Sequence, residues 1–227
     1  MLLHNEDEYN IDELNQTLQA RLLELKELDI GLSLCHPDFA PISINFLSEQ
    51  FHYRTSHGAL GEMVAKACGA KHKPKILDLT AGLGRDSFLL ASTGCSVLML
   101  ERDPIMHALL SDGLKRLKQS QPNIDLDLKL VDSQVYLQNN LIIADVIYID
   151  PMHPSRSKSA LVKKEMRILR DLVGGDDDKQ NLIELAFNSL VKRVVIKWPL
   201  KAKSYNSKKP TASFKGKSTR FDIFQLR

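Results

Sequence analysis

Two stretches of this chain bring together residues whose types and spacing can do chemistry. The first runs Lys75-Ile-Leu-Asp-Leu-Thr-Ala-Gly-Leu-Gly-Arg-Asp86. Ile76, Leu77 and Leu79 read as a buried strand, followed by a turn hinged on Gly82 and Gly84 and a helix starting near Ser87, the opening of a nucleotide-binding α/β unit. Without Cβ atoms the two glycines let the backbone turn sharply and a ligand lie against it, and the helix start offers unpaired N–H groups. The spacing D-x-x-x-G-x-G, from Asp78 to Gly84, has no G-x-x-G continuation, because Arg85, Asp86 and Ser87 follow. The Asp86 carboxylate would repel a pyrophosphate and attract the ammonium of an amino-acid moiety, so the turn suits S-adenosylmethionine better than a dinucleotide.

The second stretch is Asp150-Pro-Met-His-Pro154, which follows the apolar run Val146-Ile-Tyr-Ile149. A turn of this kind can activate a planar amine. An exocyclic amine of a base is a poor nucleophile because its lone pair is delocalised into the ring. Asp150 and the carbonyl of Pro151, both accepting from its N–H bonds, favour pyramidalisation and hold the nitrogen in line with an electrophile. Proline stiffens the turn so that the acceptors stay aimed. A ring at the fourth position, here His153, can stack on the target base for about 1–3 kcal/mol. Taken alone, an Asp-Pro after a strand is more often a simple strand exit.

The elements that must position these groups are legible around them. A second strand, Ser96 to Leu100, ends at Glu101, 101 − 82 = 19 residues past the first glycine. That is where an acid binds a ribose diol, since one carboxylate can accept two hydroxyls side by side. A helix from Pro104 to about Leu117 and a third strand, Asp127 to Val131, lead to Asp132 and Ser133, which would lie beside an adenine. The fourth strand delivers Asp150, and a fifth, Val194 to Ile196, follows an amphipathic helix carrying Leu182, Leu185, Ala186 and Leu190. Thr211 to Phe214 and Thr219 to Leu226 read as an antiparallel pair closing the sheet. Upstream, Asn10 and Glu13 predict the capped start of a helix from Ile11 to Leu28 with a stripe of Leu14, Leu18, Leu22 and Leu25. Short β runs at Leu32 to Leu34 and Ile42 to Phe46 follow, then a mixed stretch, Gln50 to Gly58, suited to a lid loop, and a helix from Leu60 to Cys68.

With 227 residues and 43% hydrophobic composition, the chain can build one large core and a small appendage, divided as residues 1–57 and 58–227. Three widely spaced cysteines without a C-x-x-C argue against a disulfide framework or a zinc site and for a reducing cytoplasm. No apolar run reaches membrane-spanning length, and no export signal is visible. Gly174-Gly-Asp-Asp-Asp178 precedes a helix whose dipole its acids complement, so no metal is expected. The net charge of +3 hides an asymmetry, because Lys192 to Arg220 carries ten cations and no acid, a candidate polyanion surface. A second basic stretch, Ser155 to Arg170, follows the Asp150 turn. Its Arg156, Lys158, Lys163 and Lys164 could bind phosphates beside a flipped base.

The segments Thr80 to Asp86, Met99 to Arg102, Asp150 to Pro154, Lys158 to Arg167, Arg193 to Lys197 and Arg220 to Ile223 resemble the RsmJ-type bacterial methyltransferases, from about Tyr53 to the C-terminus. The resemblance implies transfer of a methyl group from S-adenosylmethionine to the N2 amine of a guanine near the 3′ end of 16S rRNA, either naked or within the 30S subunit. It implies cofactor contacts at Arg85, Asp86, Glu101, Arg102, Asp132, Ser133 and Asp150. The chain departs from the family where His153 replaces the usual Tyr or Phe and Trp198 a frequent Arg. The expectation is an α/β, Rossmann-like class I methyltransferase: a seven-stranded, mostly parallel sheet with a C-terminal antiparallel hairpin and a small N-terminal α+β addition, acting as a monomer. An NAD-dependent dehydrogenase would share the glycine turn and Glu101 but not need the Asp150 turn. A non-catalytic RNA-binding module would share only the basic surfaces.

Overall fold

The computed structural model describes residues 9–56, 58–151, 179–203 and 208–227. Asn10 caps the first helix, accepting from the backbone N–H of Glu13 at 3.3 Å. That helix, Ile11–Leu18 (α1), is shorter than the leucine stripe predicts. It runs out through a 3-10 turn, Gln19–Arg21, to Leu22, whose φ of 58° is left-handed and whose side chain is exposed. The residues expected to complete it form a strand instead, Glu24–Leu28 (β1). Asn15 accounts for the change of period: its side chain accepts from Leu25 N at 2.6 Å and donates to Leu25 O at 3.1 Å, behaving as a strand partner. On the other flank Gly31–His36 (β2) pairs antiparallel with β1, setting Leu25 opposite Leu34. Phe39–Ser43 (β3) completes this sheet, starting and stopping earlier than the predicted run to Phe46. The stretch read as a lid loop is mostly helical, Glu49–Ser56 (α2), and Met63–Cys68 (α3) follows a second 3-10 turn, Ala59–Gly61.

The main sheet begins with Lys75–Asp78 (β4), then Arg85–Ser92 (α4), Ser96–Glu101 (β5), Pro104–Ser120 (α5), Leu126–Leu130 (β6), Ser133–Asn139 (α6) and Val146–Ile149 (β7). After Lys179–Asn188 (α7) come Arg193–Pro199 (β8), Ala212–Lys215 (β9) and Thr219–Gln225 (β10). The strand order is β6-β5-β4-β7-β8-β10-β9, with β4 to β8 parallel and β10 antiparallel to both its neighbours. Strand β7 is buried throughout and β4 from Ile76 to Asp78, because helices cover both faces of a parallel sheet. The chain leaves β4 toward one edge and returns through β7 toward the other, so the crevice at their carboxyl ends is the topological switch point where α/β folds bind ligands. On α7, Leu182, Ile183 and Ala186 are buried, whereas Leu190 lies beyond the helix end and is exposed.

Helix α5 is shared by the two sheets. Asp112 accepts from Leu32 N at 3.1 Å, and Arg116 donates to Ile44 O at 2.6 Å while pairing with Asp112. Leu34, Ile44 and Phe46 join the same apolar cluster as Leu109, Leu110 and Leu117, so the small sheet extends the core on one face of the large one. Both edges of the large sheet are short and charged: β6 carries Asp127, paired with Lys118 at 2.6 Å, and β9 ends in exposed Lys215. Among the described residues, no helix is long and apolar enough to cross a membrane.

Candidate active site

The carboxyl ends of β4, β5, β7 and β8 surround a cavity of about 550 Å³, within the range of small-molecule sites. Asp78, at the tip of β4, is buried and its carboxylate is engaged internally, accepting from Thr80 N at 2.9 Å and Ser87 Oγ at 2.5 Å. Burial pushes its carboxyl up to about 6 against the pull of those hydrogen bonds. It is a strut that ties strand to turn to helix. The two glycines divide their labour differently from the sequence expectation. Gly82, at φ +53°, lines the cavity, and a Cβ there would meet nothing nearer than 3.8 Å. Gly84, at φ +67°, faces the core, where a Cβ would lie 2.9 Å from both Leu110 and Phe46. Its missing side chain admits packing, not a ligand.

Glu101 reaches the cavity from the end of β5. It is only 5% exposed, accepts from Asp103 N at 2.9 Å and Gly82 N at 3.2 Å, and is pushed by burial to about 7. Arg102 and Asp132 pair at 3.7 Å across the tips of β5 and β6. Asp132 also caps α6, taking the N–H groups of Gln134 and Val135, and buried Ser133 donates to Leu79 O at 2.7 Å. Arg85, Glu101, Arg102, Asp132 and Ser133 all line the cavity, as the sequence predicts.

On the β7 and β8 side the sequence left out the central group. Lys197 Nζ lies 2.9 Å from Asp86 Oδ2 and 2.7 Å from Asp150 Oδ2, bridging the two predicted acids. Tyr148 donates to the same Asp86 oxygen at 2.7 Å, and Asp150 N donates to Thr80 Oγ1 at 2.7 Å. Burial lowers the Lys197 ammonium's affinity for its proton, but Asp150 and Asp86 together outweigh it, and the group is held above its ordinary range. The Tyr148 hydroxyl is likewise driven up, by burial first and then by the surrounding carboxylates. Lys197 could have been suspected from its place in Val194-Val-Ile-Lys197, a charge in a run otherwise fit only for a core. The far wall holds Arg54, paired to Glu62 at 3.4 Å, from the stretch read as a lid loop, and Phe221.

Pro151 is buried beside Asp150, while His153, Arg156, Lys158, Lys163, Lys164 and the acids Asp176 to Asp178 lie outside the described residues. Among those described, no group of three or more His, Cys, Asp or Glu side chains could hold a metal. The proposed basic face from Lys192 to Arg220 loses two members to the interior. Lys197 belongs to the cavity, and buried Arg220 pairs with Asp222 and donates to the carbonyls of Pro199, Leu200 and Ala202. Lys201, Lys203, Lys208, Lys209, Lys215 and Lys217 are exposed. Trp198 is buried in the cluster of Leu182, Ile183 and Phe224, so packing occupies that position.

The donor set fits S-adenosylmethionine. A buried carboxylate at the second strand's tip suits a ribose diol, Gly82 leaves the turn open to a ligand, and Asp86 at the start of α4 suits an amino-acid ammonium. Residues 6–226 match the family described as "Putative SAM-dependent methyltransferase". A protein named ribosomal RNA small subunit methyltransferase J from Coxiella burnetii (strain Dugway 5J108-111) is 47% identical over 192 residues, covering 82% of this chain and 76% of its own. Its namesake from Hydrogenovibrio crunogenus is 41% identical over 209 residues, covering 88% and 76%. The crystal structure of a SAM-dependent methyltransferase from Neisseria gonorrhoeae superimposes with a TM-score of 0.69 at 28% identity, over 94% of this chain and 92% of that one. Neither a dehydrogenase nor an idle RNA-binding module draws support from these relatives. The chain belongs to the SAM-dependent methyltransferase family that includes the ribosomal RNA small subunit methyltransferases J.

Proposed function

We propose that this enzyme methylates the exocyclic N2 amine of a guanine near the 3′ end of 16S rRNA, working in the cytoplasm as a monomer. The observation that carries the reading is Asp150. It stands at the switch point, on the same cavity as Gly82 and Glu101, with its backbone N–H fixed by Thr80 and its carboxylate by Lys197. When bound, S-adenosylmethionine supplies an electrophilic methyl group: the sulfur–carbon bond breaks with its electron pair left on sulfur, the nitrogen–carbon bond forms, and the amine loses one proton. Glu101 takes the ribose hydroxyls, Arg102, Asp132 and Ser133 lie beside the adenine, and Arg85 and Asp86 hold the methionine end. Asp78 braces the turn from the cavity's lining, and Gly84 shapes it from the core side. Asp150 and the Pro151 carbonyl accept from the target amine, orienting its lone pair toward the methyl group. His153 stacks on the base, and Arg156, Lys158, Lys163 and Lys164 neutralise neighbouring phosphates.

Mass-spectrometric mapping of 16S rRNA from a strain lacking the protein tests this. One guanine should lose a methyl group and regain it on complementation with the parent but not with Asp150→Ala. An unchanged pattern of 16S guanine methylation without the protein would refute the substrate. Transfer to naked rRNA compared with purified 30S particles then separates the two forms of that substrate.

A further inference from the structure

We propose that Lys197 is a positioning residue for methyl transfer: bridging Asp86 and Asp150, it supplies the counter-charge that keeps the Asp150 carboxylate ionised and fixed against the target amine. The inference rests on the reading of Asp150 as the amine's acceptor. Its geometric basis is independent of that reading, because the two Nζ contacts, 2.7 and 2.9 Å, tie β8 to α4 and to the end of β7.

The electrostatics require such a cation. Three carboxylates converge here from different elements, Asp78 at the end of β4, Asp86 on α4 and Asp150 after β7, and like charges in a partly buried site disfavour one another's ionisation. Asp78 already carries that repulsion, being raised by burial and further by Asp86 and Asp150. Tyr148, from β7, keeps its proton and donates it to Asp86, so it relieves no charge. From β10 the facing group is the Phe221 ring, 5.9 Å from Nζ. Arg220 and Asp222 flank Phe221 on that strand, point to its other face and satisfy each other. Among the described residues, Lys197 lies within ion-pair distance of both Asp86 and Asp150.

Two consequences follow for the reaction. A protonated Asp150 would present one oxygen as a donor and lose half of its capacity to hold an amine N–H. Held ionised, it accepts from the amine before transfer and takes the released proton afterwards, for passage to solvent. Pairing with Lys197 weakens it as a base, but the methylated nitrogen is cationic and strongly acidic, so the proton still leaves. The bridge therefore favours orientation over basicity, the sensible choice when the nucleophile is limited by its delocalised lone pair.

The test begins with ligand-free protein labelled with ¹³C at aspartate Cγ, with Asp150 assigned by difference from Asp150→Asn. In the parent protein Asp150 should titrate below the ordinary carboxylate value, and in Lys197→Met it should rise by about 1–3 pH units. Single-turnover transfer by Lys197→Met should fall by up to about tenfold at pH 6 and recover most of the loss by pH 8.5, while Lys197→Arg keeps the parent's acid limb. A merely structural lysine would lower the rate equally at every pH. A parent Asp150 that titrates at or above the ordinary value overturns the inference without any lysine variant having to fold. An unmoved acid limb in Lys197→Met overturns it as well. Because the titration uses no RNA, the expected shift together with unmethylated rRNA would reject the substrate and leave the bridge standing.

Discussion

The two acidic walls of the cavity hold the same functional group in opposite electrical circumstances. On the β5 wall, Glu101 is buried and satisfied by backbone N–H groups, and it rises to about 7. On the β7 and β8 wall, Asp86 and Asp150 share the Lys197 ammonium. The first wall can wait neutral and accept its charge when hydroxyl donors arrive. The second faces a lysine ammonium fixed on β8. A binding carboxylate and a working carboxylate are thus told apart by their neighbours, not by their residue type.

The sharpest way to break this contrast is to delete the working acid. Asp150→Ala should lower single-turnover methyl transfer by about a thousandfold or more, the loss seen when a group aimed at the reaction centre is removed. Cofactor affinity, read by titration calorimetry, should change far less. Comparable losses in both would mean that the two walls are not functionally distinct.

The pH dependence of folding tests the waiting wall. Glu101 in the folded protein keeps its proton up to about 7, whereas its ordinary value is 4.5. Between those values the native state holds more protons than the unfolded chain, so stability falls as pH rises through the window. Asp78, raised from 3.8 to about 6, adds a slope of the same sign. Chemical denaturation of the ligand-free protein at pH 5 and pH 8 should show the loss, and Glu101→Gln should reduce it by up to about 3 kcal/mol. An equal slope in the variant would remove Glu101 as its source.

Cofactor binding should respond next. Glu101→Gln ought to weaken S-adenosylmethionine by about 1.5–3 kcal/mol, since a charged acceptor of hydroxyls is replaced by a neutral one. For the parent protein, affinity should improve as pH rises through 7, opposite in sign to its stability. Calorimetry at several pH values reads both, and a flat profile would place the ribose elsewhere.

The smallest effect belongs to Tyr148. Tyr148→Phe removes one of the two donors to Asp86 and should cost about 1 kcal/mol in stability, with transfer slowed only a few-fold because Lys197 remains. A loss as large as that of Asp150→Ala would move the weight of this wall from the lysine to the tyrosine.

What the sequence disclosed and what it withheld follow a physical line. Gly82, Glu101, Asp132 and Asp150 were legible because each sits at the end of a recognisable strand, and strand ends are fixed by local pattern. Lys197 was legible only as a charge out of place in an apolar strand; its partners come from α4 and from the end of β7, so its bridging role was not. Gly84 misled for the same reason: its φ demands glycine, but which atoms face it depends on Phe46 and Leu110 from distant segments. The leucine stripe after Leu18 fitted a helix and a strand equally well until Asn15 and β2 decided for the strand.

The sheet's charged borders bear on how this protein keeps company with itself. An open sheet offers two rows of unpaired backbone groups, and another copy could add a strand there and begin a fibril. Four-residue β9 ends in Lys215, with Lys217 two residues beyond it, and β6 alternates Asp127 and Lys129 with its leucines. A second molecule approaching either border in register would set like charges side by side or strand them without partners. Aggregation is thereby discouraged at the borders, leaving the crevice between β4 and β7 as the face turned to other molecules.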